Sequence, residues 1–288
     1  MSIFYLGTHH PSWLEQTDAP LFIAHQQFAG RRTLPRARGP WALDSGGFTQ
    51  LSKHGEWTIE PRTYVIAVRR YMREIGNMQW ASIQDWMCER DPKHDMLKKT
   101  GLTVRDHQQR TVESLLELRA MAPDIPWLPV VQGWTLGEYL DCVELYMQHG
   151  VDLTKEPIVG IGTVCRRQAT MRAGQIIRHL IDDGIRVHAF GFKLTGLAAP
   201  CGPTSPARLR PDGEEPLASA RDERPDPGRV SDGIVSSDSL AWSLNARNNP
   251  PLEGHTKPGP GRPLGHLKCN NCLEYALEWR DRVLATMD

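Results

Sequence analysis

The chain has no uninterrupted apolar run approaching the ~18 residues that a membrane-spanning helix needs, and its first ten residues hold no charged stretch followed by a long apolar one. A cytoplasmic protein without a membrane partner is the expectation. Charge of one sign is also lacking. The 34 Lys and Arg residues balance 34 Asp and Glu residues, which excludes a polybasic arm and leaves any nucleic acid to local patches. Six cysteines in 288 residues are too sparse for a disulfide scaffold. Only Cys269 and Cys272 stand at ligand-like spacing, while Cys88, Cys142, Cys165 and Cys201 read as thiols. No repeat of fixed period runs through the chain.

What is present is a 40% hydrophobic chain, long enough to bury a sizeable core. Short continuous apolar runs at residues 21–24, 41–43, 80–83, 127–131, 157–161, 187–190 and 233–235 read as buried strands, because they do not alternate with polar residues. Helical patterns lie between several of them. Pro61 opens one whose Tyr64, Val65, Val68, Tyr71, Met72 and Ile75 share a face; Thr135 and Glu138 form a capping box ahead of another; residues 103–120 and 166–181 behave similarly. Strand alternating with helix implies parallel strands joined by crossovers, and seven or eight such units predict an α/β fold, a (β/α)8 TIM-type barrel. Residues 196–229, rich in Pro, Gly, Arg, Asp and Glu, read as a flexible insertion into a barrel occupying residues 1–250. Residues 251–288 read as a zinc-binding segment followed by a terminal helix over 272–287.

Polar residues follow the apolar runs with regularity. Leu43 precedes Asp44, Ser45, Gly46, Gly47 and Phe48; Ile83 precedes Gln84 and Asp85; Val131 precedes Gln132 and Gly133; Val159 precedes Gly160; Phe190 precedes Gly191, Phe192 and Lys193; Val235 precedes Ser236, Ser237 and Asp238. Any one Asp at a strand end is most simply a helix cap or turn former. Polar groups at six strand ends are not required by capping, and in a barrel those ends converge on the face that carries catalysis.

The stretch Asp44-Ser45-Gly46-Gly47-Phe48 resembles the DSGGFQ motif of the tRNA-guanine transglycosylase superfamily, with Thr49 intervening before Gln50. The ordered set of Asp85, Gln132-Gly133, GIGTVCRR from Gly160, GFKLTG from Gly191 and SSDSLAW from Ser236 is similar to the phage and bacterial (DpdA-like) branch that places deazaguanine bases in DNA. The resemblance covers roughly residues 20 to 280. It implies Asp238 as nucleophile and Asp44 as general acid/base in a double displacement at C1′, the pattern retaining glycosidases use. Asp85 would then accept from N1–H and the exocyclic amine of guanine, Gln132 would donate to O6, and Gly160 would offer a backbone N–H. Ser45, Gly46, Gly133 and Lys193 complete the expected substrate contacts. Phe48, Trp86 and Met87 are stacking candidates with an equal claim to rim packing.

His266, Cys269 and Cys272 give the spacing H-x2-C-x2-C, which lets three ligands wrap one tetrahedral Zn²⁺. The family carries a structural zinc held by three cysteines and a histidine, so here His266 replaces one cysteine. His255 is the expected fourth ligand, with Cys201 as the alternative. The expected partners are DNA, or alternatively tRNA, and a free 7-deazaguanine base of the preQ0 type; an accessory subunit or a homodimer is compatible with the sequence. Basic groups that could grip phosphates are Arg31, Arg32, Arg36, Arg38, Lys98, Lys99, Arg166, Arg167, Lys193, Arg247 and Lys257. Alternative functions are tRNA-guanine exchange, hydrolysis of a deazaguanine nucleoside, and a noncatalytic substrate-binding subunit.

Overall fold

A computed structural model describes residues 2–164, 171–192, 234–257 and 265–287. The expected insertion at 196–229, Lys193, Cys201, Arg166 and Arg167 all lie outside the described residues.

The strands are β1 (Ile3–Gly7), β2 (Leu21–Ala24), β3 (Trp41–Asp44), β4 (Met78–Ser82), β5 (Trp127–Leu128), β6 (Val130–Val131), β7 (Val159–Ile161), β8 (Val187–Ala189) and β9 (Ser236–Ser239). Their order around the sheet is β5-β4-β3-β2-β1-β9-β8-β7-β6, with every pairing parallel. β5 and β6 stand at opposite ends of that order yet adjoin in sequence, parted only by Pro129. Proline cannot donate to a ladder, so one strand is broken there and supplies both edges of a nearly closed barrel. This is the expected TIM-type α/β architecture.

The helices are α1 (Gly47–His54), α2 (Pro61–Glu74), α3 (Met96–Thr100), α4 (Val104–Met121), α5 (Leu136–Gln148), α6 (Met171–Asp182), α7 (Ala241–Asn248) and α8 (Leu273–Met287). Pro61 begins α2, where its missing N–H costs nothing. Thr103 with Asp106 and Thr135 with Glu138 form reciprocal capping boxes that start α4 and α5. The main hydrophobic layer lies between barrel and helices and includes Leu43, Tyr64, Val68, Leu115, Val131, Tyr146, Ile177 and Trp242. A second cluster of Tyr5, Phe22, Ala42, Trp80 and Leu128, with Phe190 against it, is built from strand residues of the opposite alternation and fills the lumen.

Three features depart from the sequence reading. β1 was not among the seven expected strands, yet it pairs with both β2 and β9 and is needed to complete the ring. The first two crossovers are short 3-10 turns, Pro11–Glu15 and His25–Gln27, rather than α-helices. The last strand is not the apolar stretch 233–235 but Ser236–Ser239, four polar residues that are all buried. Asp238 is therefore inside a strand, opposite Tyr5, instead of beyond its end.

Candidate active site

Asp44 is the last residue of β3, so its backbone direction is fixed by the ladder to β2. Its Oδ1 accepts the Gly46 N–H at 2.8 Å. Gly46 has φ of +85°, and a Cβ there would fall 2.2 Å from Oε1 of Gln26, so only glycine makes this turn into α1. Burial lifts the Asp44 pKa to about 6; the Gly46 N–H opposes the rise and the charge of Asp238 adds to it. A carboxyl group in that range holds or releases a proton near neutrality. Asp238 lies on β9, with β2 and β1 between it and Asp44 in the strand order.

Asp85 lies three residues beyond the end of β4 and is buried. Its Oδ2 accepts from Nε2 of Gln132 at 2.6 Å, and Oε1 of Gln132 accepts from the Thr163 hydroxyl at 2.6 Å. The Thr163 oxygen in turn receives the Cys88 N–H at 3.1 Å. Burial and then the nearby Asp44 charge raise the Asp85 pKa to about 7, against the lowering effect of Gln132. Ser45 is buried beside Asp85 and lowers its pKa slightly, although its hydroxyl makes no hydrogen bond of standard geometry. Thr163 was not anticipated. It is a β-branched residue at φ of +59°, a conformation costing on the order of 1–3 kcal/mol and usually retained where function needs it.

The glycines divide differently from expectation. The Gly160 N–H donates to Pro129 O at 2.8 Å, a barrel bond, and a Cβ on Gly160 would strike the Phe190 ring at 2.5 Å. Its N–H is thus not open to a ligand, which corrects the expected role. Gly162 is the glycine beside the Gln132 amide: a Cβ there would lie 2.2 Å from Nε2 of Gln132. Gly133 lets the first turn of α5 approach, since its Cβ would meet Tyr139 N at 2.8 Å. Trp86 packs among Leu51 and Met96 beneath the Arg110 guanidinium, 4.5 Å from the ring centroid, and Phe48 and Met87 border the same cluster.

Asp238 is held from below. Its Oδ1 accepts the Gly191 N–H at 2.9 Å and stands 3.3 Å from Nε2 of His188. His188, on β8, is fully buried and was likewise not anticipated; nothing in its sequence neighbourhood marks it.

His255, His266, Cys269 and Cys272 gather at the C-terminal end, with ligand atoms all within 4.8 Å of one another. His255 Nδ1 is 3.2 Å from His266 Nε2, 3.4 Å from Cys269 Sγ and 3.6 Å from Cys272 Sγ, and His266 Nε2 is 3.1 Å from Cys269 Sγ. Tetrahedral Zn–N and Zn–S bonds of about 2.0 and 2.3 Å give ligand–ligand edges of roughly 3.3–3.8 Å, so this His2Cys2 cluster can hold a metal ion. Glu274 accepts from His255 Nε2 at 2.8 Å, the carboxylate partner that metal-binding histidines commonly have. The cluster sits at the start of α8, which packs Trp279 against Phe4 of β1.

The basic groups are unequally placed. Arg36 donates to the carbonyls of Arg73 and Glu74 at the end of α2, and Arg38 pairs with Asp18 at 3.1 Å. Both precede the start of β3 and so lie toward the face opposite the carboxylates. Lys98 and Lys99, on α3, follow β4 and lie on the same side as Asp85; Lys98 is largely exposed. Among the described residues no helix is long and apolar enough to cross a membrane.

These features define a parallel barrel that carries two buried carboxylates, Asp85 and Asp238, and the half-buried Asp44 at the end of β3. The family model described as DpdA, DeoxyPurine in DNA protein A, matches residues 1–202 and 229–288, and the chain belongs to that family, the deazaguanine transglycosylase branch the motifs resemble. No curated protein matches the chain. Among solved structures it is similar to a putative fructose-1,6-biphosphate aldolase from Coccidioides immitis, at 9% identity with a TM-score of 0.49, covering 99% of this chain and 90% of that one.

Proposed function

We propose that this protein exchanges guanine for a 7-deazaguanine of the preQ0 type in DNA through a covalent glycosyl-enzyme intermediate. The observation that carries the reading is the placement of three carboxylates on neighbouring parts of the barrel, Asp44 at the end of β3, Asp238 in β9 and Asp85 just beyond β4, with Asp85 hydrogen-bonded to Gln132. Exchange at an anomeric carbon needs a nucleophile, a proton shuttle and a reader of the base. Asp238 attacks C1′ as the C1′–N9 bond of guanine breaks, while Asp44 delivers a proton to the departing base. The incoming base then gives a proton to Asp44 and attacks C1′, breaking the bond to Asp238 and retaining configuration.

Asp85 and Gln132 read the base. An ionised Asp85 accepts from N1–H and the exocyclic amine, and the second hydrogen on Gln132 Nε2 faces O6. Thr163 supports this by occupying Oε1, which fixes the amide with its donor end toward Asp85. Adenine presents the wrong donors and acceptors, leaving buried groups unpaired. The target nucleotide must leave the stack to reach such a pocket. Lys98 and Lys99 are suitable phosphate contacts on that side. The His2Cys2 cluster would hold a structural zinc, whose contribution is to fix the segment before α8 and not to react.

Mass spectrometry of nucleosides from cells with and without the protein tests the assignment. A deazaguanine deoxynucleoside present only with the protein is the expected result. The same modification confined to tRNA, or release of free base with no modified polymer, would replace this reading with tRNA exchange or nucleoside hydrolysis.

A further inference from the structure

The lumen beneath Asp238 is aromatic. Trp80 and Phe190 pack edge-on against the His188 ring, each with centroids 4.7 Å away and with interplanar angles of 64° and 81°, and Phe22 and Tyr5 stand at 6.1 and 6.2 Å. An apolar side chain would suit this layer. Instead an imidazole is buried there, and its two nitrogens face the only polar groups of the neighbouring strand's inward side. Register places His188 opposite Ser236, and alternation puts Ser236 and Asp238 on the same face of β9. Nδ1 is 2.8 Å from Oγ of Ser236. Nε2 is buried without a hydrogen bond of standard geometry and lies 3.3 Å from Asp238 Oδ1.

We propose that His188 is a positioning residue for Asp238: the Ser236 hydroxyl donates to Nδ1, the hydrogen on Nε2 is thereby directed at Oδ1, and the carboxylate is turned so that Oδ2 meets the sugar. The inference rests on Asp238 being the nucleophile. It adds what the motif does not contain, a second donor beside the Gly191 N–H on the same oxygen. With both donors on Oδ1, the rotation that would exchange the two oxygens is blocked, and the aromatic rings on either side hold the imidazole plane. During the first displacement Oδ1 becomes the carbonyl oxygen of the glycosyl ester; during the second it regains charge, and the Nε2–H contact shortens. Catalytic contacts are commonly long before substrate is bound, which fits a 3.3 Å separation in the free protein.

Base exchange and single-turnover formation of the glycosyl-enzyme are measured on the full chain for wild type, His188→Phe, His188→Gln, Ser236→Ala and the His188→Phe/Ser236→Ala pair. Misorienting a reacting group by about 1 Å costs roughly 10²-fold. His188→Phe, which preserves the ring packing, is therefore expected to lower kcat and the rate of adduct formation by about that factor while KM for the base stays within about twofold. His188→Gln, whose amide can still donate to Oδ1, recovers at least about tenfold of the loss. Ser236→Ala slows wild type but has little further effect once His188 is Phe, because the two act through one chain of hydrogen bonds. Wild-type kcat in His188→Phe, a Gln variant no better than Phe, or Ser236→Ala losses that simply add would overturn the inference. If His188→Phe does not fold, His188→Gln and Ser236→Ala decide: unchanged kcat in both overturns it. Absence of exchange and adduct in wild type itself is a different result, and it removes the transglycosylase reading together with this one.

Discussion

In the free protein Gln132 commits one amide hydrogen to Asp85, across 2.6 Å, while Thr163 holds the other end of the same amide. The pair is thus arranged before any base arrives, with the Asp85 carboxyl buried and its pKa near 7. On the proposed function, a base that offers two donors would replace the solvation Asp85 has lost, and one that does not would leave it stranded. Asp85→Asn should reduce exchange of guanine by about 10²–10⁴-fold, the range expected when a buried polar match is removed, and should lose preference between guanine and other purines. Competition assays with free bases measure both.

The same carboxyl gives the base affinity a pH dependence. Asp85 accepts two donors only when ionised, so KM for the base should fall as pH rises from about 6 to 8 in wild type. Asp85→Asn should show no such change. A wild-type KM that rose over this interval would show that the protonated form binds.

Stability should run the other way. Asp44 and Asp85 have folded pKa values of about 6 and about 7, both above the ordinary carboxyl value of 3.8. The folded state therefore binds more protons than the unfolded state between those limits, and stability falls as pH rises through the interval. For Asp85 the shift of about 3 units corresponds to about 4 kcal/mol at most. Urea unfolding should show Asp85→Asn gaining stability relative to wild type at pH 8, with the advantage vanishing near pH 4.

Gly162→Ala tests the close approach behind Gln132. A methyl group there would lie 2.2 Å from Nε2 and 2.5 Å from Cδ, so the amide must move. Overpacking of this kind costs about 1–3 kcal/mol. KM for the base should rise by more than tenfold while DNA binding, measured by gel shift, is preserved. An unchanged KM would place the base elsewhere.

The cluster of His255, His266, Cys269 and Cys272 should bind about one zinc per chain by elemental analysis. Cys272→Ser or a strong chelator should lower the melting temperature, by roughly 2–4 °C for each kcal/mol of metal-derived stability lost in a chain of this size. Glu274→Ala, which frees the His255 Nε2 contact, should weaken zinc by about 10–100-fold. Full metal retention in Cys272→Ser would remove that residue from the ligand set.

The sequence made the barrel legible because buried parallel strands read as unbroken apolar runs and because capping residues mark the starts of α2, α4 and α5. It also brought forward His255, whose place in the cluster spacing alone could not establish. β1 escaped although its apolar run at residues 3–6 is as long as that of β2, so its length does not set it apart. β9 escaped because its residues are hydroxyl-bearing or acidic: the barrel buries them beside β1 and β8, and no local pattern reports that. Thr163, His188 and Glu274 share one reason for being missed. Each acts on a residue distant in the chain, at separations of 31, 48 or 50, and 19 positions from Gln132, Ser236 or Asp238, and His255, so only the fold brings the partners together. Gly160 and Gly162 show the converse: both glycines are visible, but which one borders the Gln132 amide depends on strand register.

Trapping a reaction on Asp238 is the most direct measurement. Protein incubated with guanine-containing DNA, quenched in denaturant and digested should yield a peptide bearing a deoxyribose-linked adduct at Asp238. Asp238→Ala should yield none and have no exchange activity, while Asp44→Asn should turn over about 10²–10⁴-fold more slowly, as loss of a general acid/base predicts. Undiminished exchange by Asp238→Ala, or an adduct on a different residue, would contradict the account.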